Sequence, residues 1–349
     1  MKKIVNIAIN PRGIGGTESF SRVLNSEFPT SRTYSFNVSS NPIYDTPHEI
    51  IRKPMLKKLA RALKLISKDS VYQLPSPNNA YILINAPCDL DRIPEDYLAR
   101  GKSIYVAHNC PEHLWHHKNY FGFNRESRIK KLSLIKTIAC LSASYIETYS
   151  KMFGFPENQI IPFAHTVEIP EVKISKHASK TIITICRLEN KAKRLDRLFE
   201  IAQLLPSYQF KIYGSGPDEL LLRKQAKNIT NISFQGPTND ITTAHREAGV
   251  FLMTSDIEGF GITIIESLSQ ATPVIIARNS FARARDLIKD NYNGYVVEEY
   301  SAIHTVQRIE KIIENYEDFS QNALTSFSRF SRTNFKNAWD NIFRQTETF

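Results

Sequence analysis

Residues 249–276 read GVFLMTSDIEGFGITIIESLSQATPVII, and their pattern decides the architecture. Residues 249–253 form a short apolar run of strand type, closed by the polar Thr254, Ser255 and Asp256. Gly259 and Gly261 bracket Phe260, which calls for a sharp turn with close backbone approach. Ile262, Ile265 and Leu268 then recur at helical spacing. Pro273 ends that helix, and Val274-Ile275-Ile276 opens another buried strand. The unit is strand, glycine turn, helix, strand.

Two carboxylates carry the chemistry. Glu258 falls in the turn, at the carboxyl end of the strand, where open parallel sheets bind ligands. Glu266 falls about one turn inside the helix. The leading amides of that helix, Ile262 and Thr263, have no intrahelical acceptor and sit at the positive end of its dipole. A diphosphate is favoured there. Glu266 is then placed for ribose hydroxyls, and Glu258 for whatever lies beyond the phosphates. A purely structural assignment stays open: Glu258 as a solvated loop residue, Glu266 as a partner of the helix dipole.

Glu258-Gly259-Phe260-Gly261, with Glu266 and the Pro273-Val274-Ile275 run, resembles the E-x7-E signature of family 4 retaining glycosyltransferases. The resemblance implies a GT-B fold, with two Rossmann-like doubly wound α/β domains facing a cleft and a C-terminal helix crossing back to the first domain. Ala271 stands where such enzymes usually carry a glycine.

Working outward, strand-like runs alternate with helical patterns along all 349 residues, as parallel α/β architecture requires. The polar stretch 165–180 reads as a linker. The expected domains are 1–166 for the acceptor, 167–325 for the nucleotide sugar and 326–349 for the returning helix. The second opens with a strand over 181–186 and a basic turn holding Arg187 and Lys193. Two cations beside a helix start stabilise a departing diphosphate, and the resemblance implies that work for this pair. Arg194 replaces a commoner glycine, and Lys191 competes for the lysine role. Gly214-Ser215-Gly216-Pro217 is similar to the family's G-x-G-P turn. By the same resemblance the nucleobase rests on Pro237 and Thr238. The resemblance likewise implies that Gly259, Phe260, Gly261, Ile262 and Thr263 hold phosphate and hexose.

In the first half, residues 4–9 read as a strand and 17–28 as a helix, joined by a turn containing Gly13, Gly15 and Gly16. Glu18 stands where a dinucleotide fingerprint needs glycine. The Gly-Gly-x-Glu turn is similar to the family's N-terminal loop, which implies that Gly15 and Gly16 approach the donor diphosphate. Strands are expected over 81–85, 103–107 and 137–141. His108 follows the second of these and is placed to orient or deprotonate an acceptor hydroxyl, or else to serve as a hydrogen-bonded structural histidine. Glu112, His113, His116 and His117 cluster without a metal-binding order. Arg125, Arg128, Lys130 and Lys131 meet a phosphorylated acceptor or face water.

Residues 50–68, IIRKPMLKKLARALKLISK, pattern as a basic amphipathic helix. Leu56, Leu59, Leu63 and Ile66 form one stripe, and Lys57, Arg61, Lys64 and Lys68 the other. It suits an anionic bilayer surface or a core-packed helix with a solvated basic face. With 45 basic and 35 acidic residues the net charge is +10, which favours phosphorylated, nucleic-acid or anionic-membrane partners. The four cysteines include no close pair, consistent with a reducing compartment. No apolar run is long enough to span a membrane.

The resemblance therefore implies a retaining hexosyltransferase using a nucleotide sugar, with UDP favoured, and needing no metal. The acceptor is a glycan or a lipid-diphosphate-linked one, for cell-surface polysaccharide or glycoconjugate synthesis. The expected location is cytoplasmic, peripheral on the inner face of the membrane, with no nucleic-acid partner. Two competing assignments are a non-catalytic basic nucleotide- or membrane-binding protein and an NAD-dependent oxidoreductase. The first leaves Glu258 and Glu266 without a purpose, and Glu18 weakens the second.

Overall fold

A computed structural model describes residues 2–8, 16–36, 48–52, 72–109, 111, 125–167, 178–238, 240–259, 261–277 and 284–349. Gly15, Phe260, the cluster at 112–117 and all but the first three residues of 50–68 lie outside the described residues. The chain divides into two compact units, one of residues 1–166 with 332–349 and one of 167–331.

The first unit is built on a seven-stranded parallel sheet ordered β3-β2-β1-β4-β5-β6-β7. Its strands are β1 (Lys3–Ile7), β2 (Ser31–Ser35), β3 (Glu49–Ile50), β4 (Ala80–Ile84), β5 (Lys102–Ala107), β6 (Thr137–Cys140) and β7 (Ile160–Pro162). Strands β4 and β6 are buried along their whole length. Apolar runs of this kind are what a parallel sheet covered on both faces demands. Strand β2, SRTYS, is polar yet pairs Ile4 with Ser31 through Ile7 with Tyr34. It buries Ser31, Thr33 and Ser35 on one face, so it is a strand that hydrophobicity alone does not reveal.

The C-terminal region holds two helices, Tyr316–Phe327 and Arg332–Thr346, separated by a 3-10 turn at Ser328–Phe330. Ser331 is extended and ends that turn. Return to the first unit thus begins at Arg332, six residues later than the sequence suggested. Phe335, Trp339 and Phe343 recur every fourth residue and form one stripe on the second of these helices. Trp339 is fully buried, with its ring 5.3 Å from Phe20 and 5.2 Å from Phe163, and Phe343 lies 4.5 Å from Tyr81. Polar ties hold the rim: Lys2 to Asp340, Tyr81 Oη donating to Glu347 at 2.6 Å, and Lys102 to Glu347 at 2.7 Å.

The second unit has a six-stranded parallel sheet ordered β10-β9-β8-β11-β12-β13. The strands are β8 (Thr181–Ile185), β9 (Gln209–Tyr213), β10 (Ile232–Gly236), β11 (Val250–Met253), β12 (Val274–Ala277) and β13 (Gly294–Val297). Its core gathers Ile182, Leu198, Ile201, Phe210, Leu252 and Ile275 with the helix Ala302–Glu314. The order reverses between β8 and β11. In open parallel sheets the carboxyl edge at such a reversal is the usual ligand position.

Candidate active site

The turns after β8 and β11 meet at this reversal, and side chains and main chain tie them together. Asp256 and Ile257 both donate their amides to the carbonyl of Ala192, at 2.9 and 3.2 Å. Thr254 Oγ1 donates to the carbonyl of Lys193 at 2.9 Å. Lys193 Nζ reaches Glu258 Oε2 at 2.8 Å, so the expected lysine and the first expected carboxylate form an ion pair. Arg187 points into a wetter setting: its side chain is 68% exposed and its guanidinium lies 3.6 Å from Glu189.

Asp256 is the hub that sequence reasoning missed. Arg197 Nη1 reaches one of its oxygens at 2.7 Å and Arg194 Nη1 the other at 2.9 Å. Partial burial raises the Asp256 pKa, but the two guanidinium groups outweigh it and hold the carboxyl below the usual range. Arg197 is itself buried and lies 4.9 Å from the centre of the Tyr300 ring. Arg194 has φ +49°, left-handed backbone between the helices Asn190–Lys193 and Leu195–Leu204. Ala271 likewise has φ +53°. Both residues flagged as replacing glycines therefore occupy backbone that favours glycine.

Gly261 caps the helix Ile262–Ser269 with φ +73° and no side-chain cap, leaving the amides of Ile262 and Thr263 at the free end of the dipole. Glu266 lies on this helix and is 8% exposed. Gly259 is half-buried beside Glu258. Gly214 and Gly216 let the turn after β9 press on that after β8: a Cβ on either would fall within 2.5 Å of the carbonyl oxygen of Cys186 or Leu188. The Gly214 amide continues the chain of contacts to the Gly236 carbonyl at 2.8 Å. Pro237 and Thr238 follow at the end of β10, where Thr238 Oγ1 accepts from the Asp240 amide at 3.0 Å. Arg187, Lys193, Pro237, Thr238, Glu258, Gly261 and Glu266 thus come from consecutive turns and the helix along one sheet edge.

In the first unit, Gly16 is the first residue of the helix Gly16–Glu27. His108 follows β5 and sits in a buried polar chain. Asn85 Nδ2 donates to Asn6 Oδ1 and to the Ile7 carbonyl, both at 2.7 Å. That leaves Asn85 Oδ1 to accept from His108 Nε2 at 2.8 Å, which assigns the ring proton to Nε2. Burial, and secondarily His165, push the His108 pKa down to about 3. A neutral, weakly basic ring is suited to orienting a hydroxyl and poorly suited to taking its proton.

The basic cluster at 125–131 corrects an expectation. Arg128 is buried against Asp91, with Nη2 2.5 Å and Nε 3.0 Å from its oxygens. Lys131 is buried too, donating to the carbonyls of Asp91 and Ile93 at 2.7 and 2.6 Å, and so closes the end of the helix Pro87–Arg92. These two cations hold the fold together; neither faces water nor an incoming phosphate. Lys130 pairs with Glu95 at 2.8 Å. The Arg125 side chain lies outside the description.

Residues 167–326 match the family model described as "Glycosyl transferases group 1". Over 99% of its length the chain superposes on Anabaena HepE, solved in complex with UDP, with a TM-score of 0.76, 16% identity and 100% of that chain covered.

The fold is that of the GT-B glycosyltransferases.

Among sequences, the chain is 23% identical over 271 residues to the poly(glycerol-phosphate) alpha-glucosyltransferase of Bacillus subtilis, covering 72% of this chain and 39% of that one. It is 26% identical over 245 residues to the O-antigen biosynthesis glycosyltransferase WbnH of Escherichia coli, covering 69% of each. The chain thus spans well under half the length of the Bacillus relative. Among the described residues no helix is long and apolar enough to cross a membrane.

Proposed function

We propose that this chain transfers a hexose from a nucleotide sugar, UDP-linked by preference, to a glycan or lipid-linked acceptor, with retention at the anomeric carbon. The observation that carries the reading is the Lys193–Glu258 pair at the carboxyl edge between β8 and β11, beside the free amino end of the helix Ile262–Ser269. The diphosphate takes Lys193, Arg187 and the Ile262 and Thr263 amides. Ribose takes Glu266, the base takes Pro237 and Thr238, and Glu258 with the 259–261 backbone takes the hexose.

As the glycosidic bond breaks, negative charge collects on the leaving diphosphate, where preorganised cations and amides stabilise it. Retention follows if the acceptor hydroxyl attacks the face from which the diphosphate leaves and passes its proton to that group. The alpha linkage in the name of the Bacillus relative supports this stereochemistry, because common nucleotide hexoses are themselves alpha-linked. His108 orients the acceptor hydroxyl. Assignment to the E-x7-E family 4 enzymes belongs to the same proposal. So do independence from metal, a cytoplasmic location and peripheral attachment to an anionic membrane through residues 50–68.

A thermal-shift panel of nucleotide sugars tests the reading, since a ligand bound only by the native state raises the melting temperature. A rise with UDP-hexoses, lost in Lys193→Ala and Glu266→Ala proteins that remain folded, is the expected result. No rise with any nucleotide sugar overturns it.

A further inference from the structure

We propose that Arg194 is a positioning residue for Lys193 and Glu258: by bridging Asp256 it fixes the turn after β11 against the turn after β8. The inference deepens the transferase reading and rests on it for its catalytic consequence, though not for its geometry.

Three observations converge on position 194. Its backbone is left-handed, at φ +49°, a conformation unfavourable for arginine and free for glycine. Arginine must therefore supply something glycine does not. Its guanidinium forks between Asp196, at 2.7 Å, and Asp256, at 2.9 Å. The flanking residues are the ones that matter for chemistry, because Lys193 is the preceding residue and Glu258 lies two beyond Asp256. The second guanidinium on Asp256, from Arg197, is anchored on Tyr300, whose hydroxyl donates to Glu200 at 2.5 Å.

Without Arg194 the Asp256 carboxylate loses one of its two guanidinium partners, and the turn carrying Glu258 relies on Arg197, on the Thr254 hydroxyl bond to Lys193 and on the main-chain bonds to Ala192. Displacements near 1 Å at a reacting centre lower rates about 100-fold. Arg194 thus acts on the reaction through the two residues it holds, without touching the donor.

Arg194→Gly removes the bridge and relieves the backbone, while Arg194→Asn removes the bridge with a residue that tolerates left-handed backbone. Arg194→Lys restores a single cation within reach. Amide hydrogen exchange at Asp256 and Ile257 should quicken in the Gly and Asn variants and recover in Lys. In transfer assays kcat should fall roughly 10- to 100-fold with little change in melting temperature, and Lys should recover part of it. In a Lys193→Ala background, Arg194→Asn should cost clearly less than it does in the wild type, since one of the two groups it positions is gone.

Unchanged exchange at Asp256 and Ile257 overturns the bridge. Faster exchange with unchanged kcat, or a loss fully additive with Lys193→Ala, overturns the positioning role. Faster exchange in a protein whose wild type binds no nucleoside diphosphate leaves the bridge standing and overturns the transferase reading instead.

Discussion

Lys193 Nζ and Glu258 Oε2 lie 2.8 Å apart, with both side chains less than one-fifth exposed. The cation assigned to the diphosphate is thus paired with the carboxylate assigned to the sugar. On the proposed reading, an entering diphosphate competes with Glu258 for Lys193, and the displaced carboxylate becomes available to hexose hydroxyls. Glu258→Gln should therefore bind UDP more tightly than wild type, while transfer falls at least 100-fold, on the order expected for loss of a group aimed at the reacting sugar. Titration calorimetry with UDP and initial rates with the nucleotide sugar check the two halves. Weaker UDP binding by the variant contradicts the competition.

Asp89 gives a pH prediction. It is fully buried in the helix Pro87–Arg92, and among the described residues neither of its oxygens has a hydrogen-bond partner. Burial pushes its pKa up to about 7, with Arg92 opposing and Asp91 adding. An unfolded aspartate ionises near 4, so between roughly pH 4 and 7 the native state holds a proton that the unfolded chain has lost. Stability from this group is present below pH ~4 and is lost as pH rises toward 7. The loss can reach ~4 kcal/mol. In denaturant titrations at pH 5 and 8, Asp89→Asn should gain on wild type as pH rises. A constant difference between the two proteins would contradict the shift.

Trp339 tests the returning helix. It is fully buried between Phe20 and Phe163, and truncation of such a side chain costs ~3–5 kcal/mol. Trp339→Ala should lower the melting temperature by roughly 10 °C, read by calorimetry. UDP affinity should stay near wild type at temperatures where the variant is folded, because the residue belongs to the first unit.

Chelation tests the charge assignment. If Lys193, Arg187 and the helix amides supply the positive potential for the leaving diphosphate, EDTA should leave the transfer rate unchanged. A rate abolished by EDTA and restored by magnesium or manganese would assign that work to a metal.

Much of the second unit was legible in its residues, and the reason is local. The run GVFLM, the glycines at 259 and 261, and Pro273 each dictate backbone within a few residues, and β11, the helix Ile262–Ser269 and β12 follow. The hub at Asp256 was not legible. An aspartate in a polar turn looks solvated until the fold brings Arg194 and Arg197 to it from some sixty positions away. The same holds for Arg128 and Lys131, whose basic run reads as surface. Their partners, Asp91 and the carbonyls of Asp91 and Ile93, lie about forty residues upstream. Strand β2 escaped because its inward face is hydroxyl-bearing: Thr33 accepts from Asn6 and Asn25 at 3.1 and 3.0 Å.

The first unit is assembled from two separated stretches, with residues 167–331 between them. On a ribosome, the intervening stretch emerges whole and can complete its own core while Phe20, Phe163 and Tyr81 still await Phe335, Trp339 and Phe343. Newly made chains therefore carry an aromatic surface bare to water until translation reaches the final helix. Chaperone capture, or clumping when synthesis outruns it, has its natural target there.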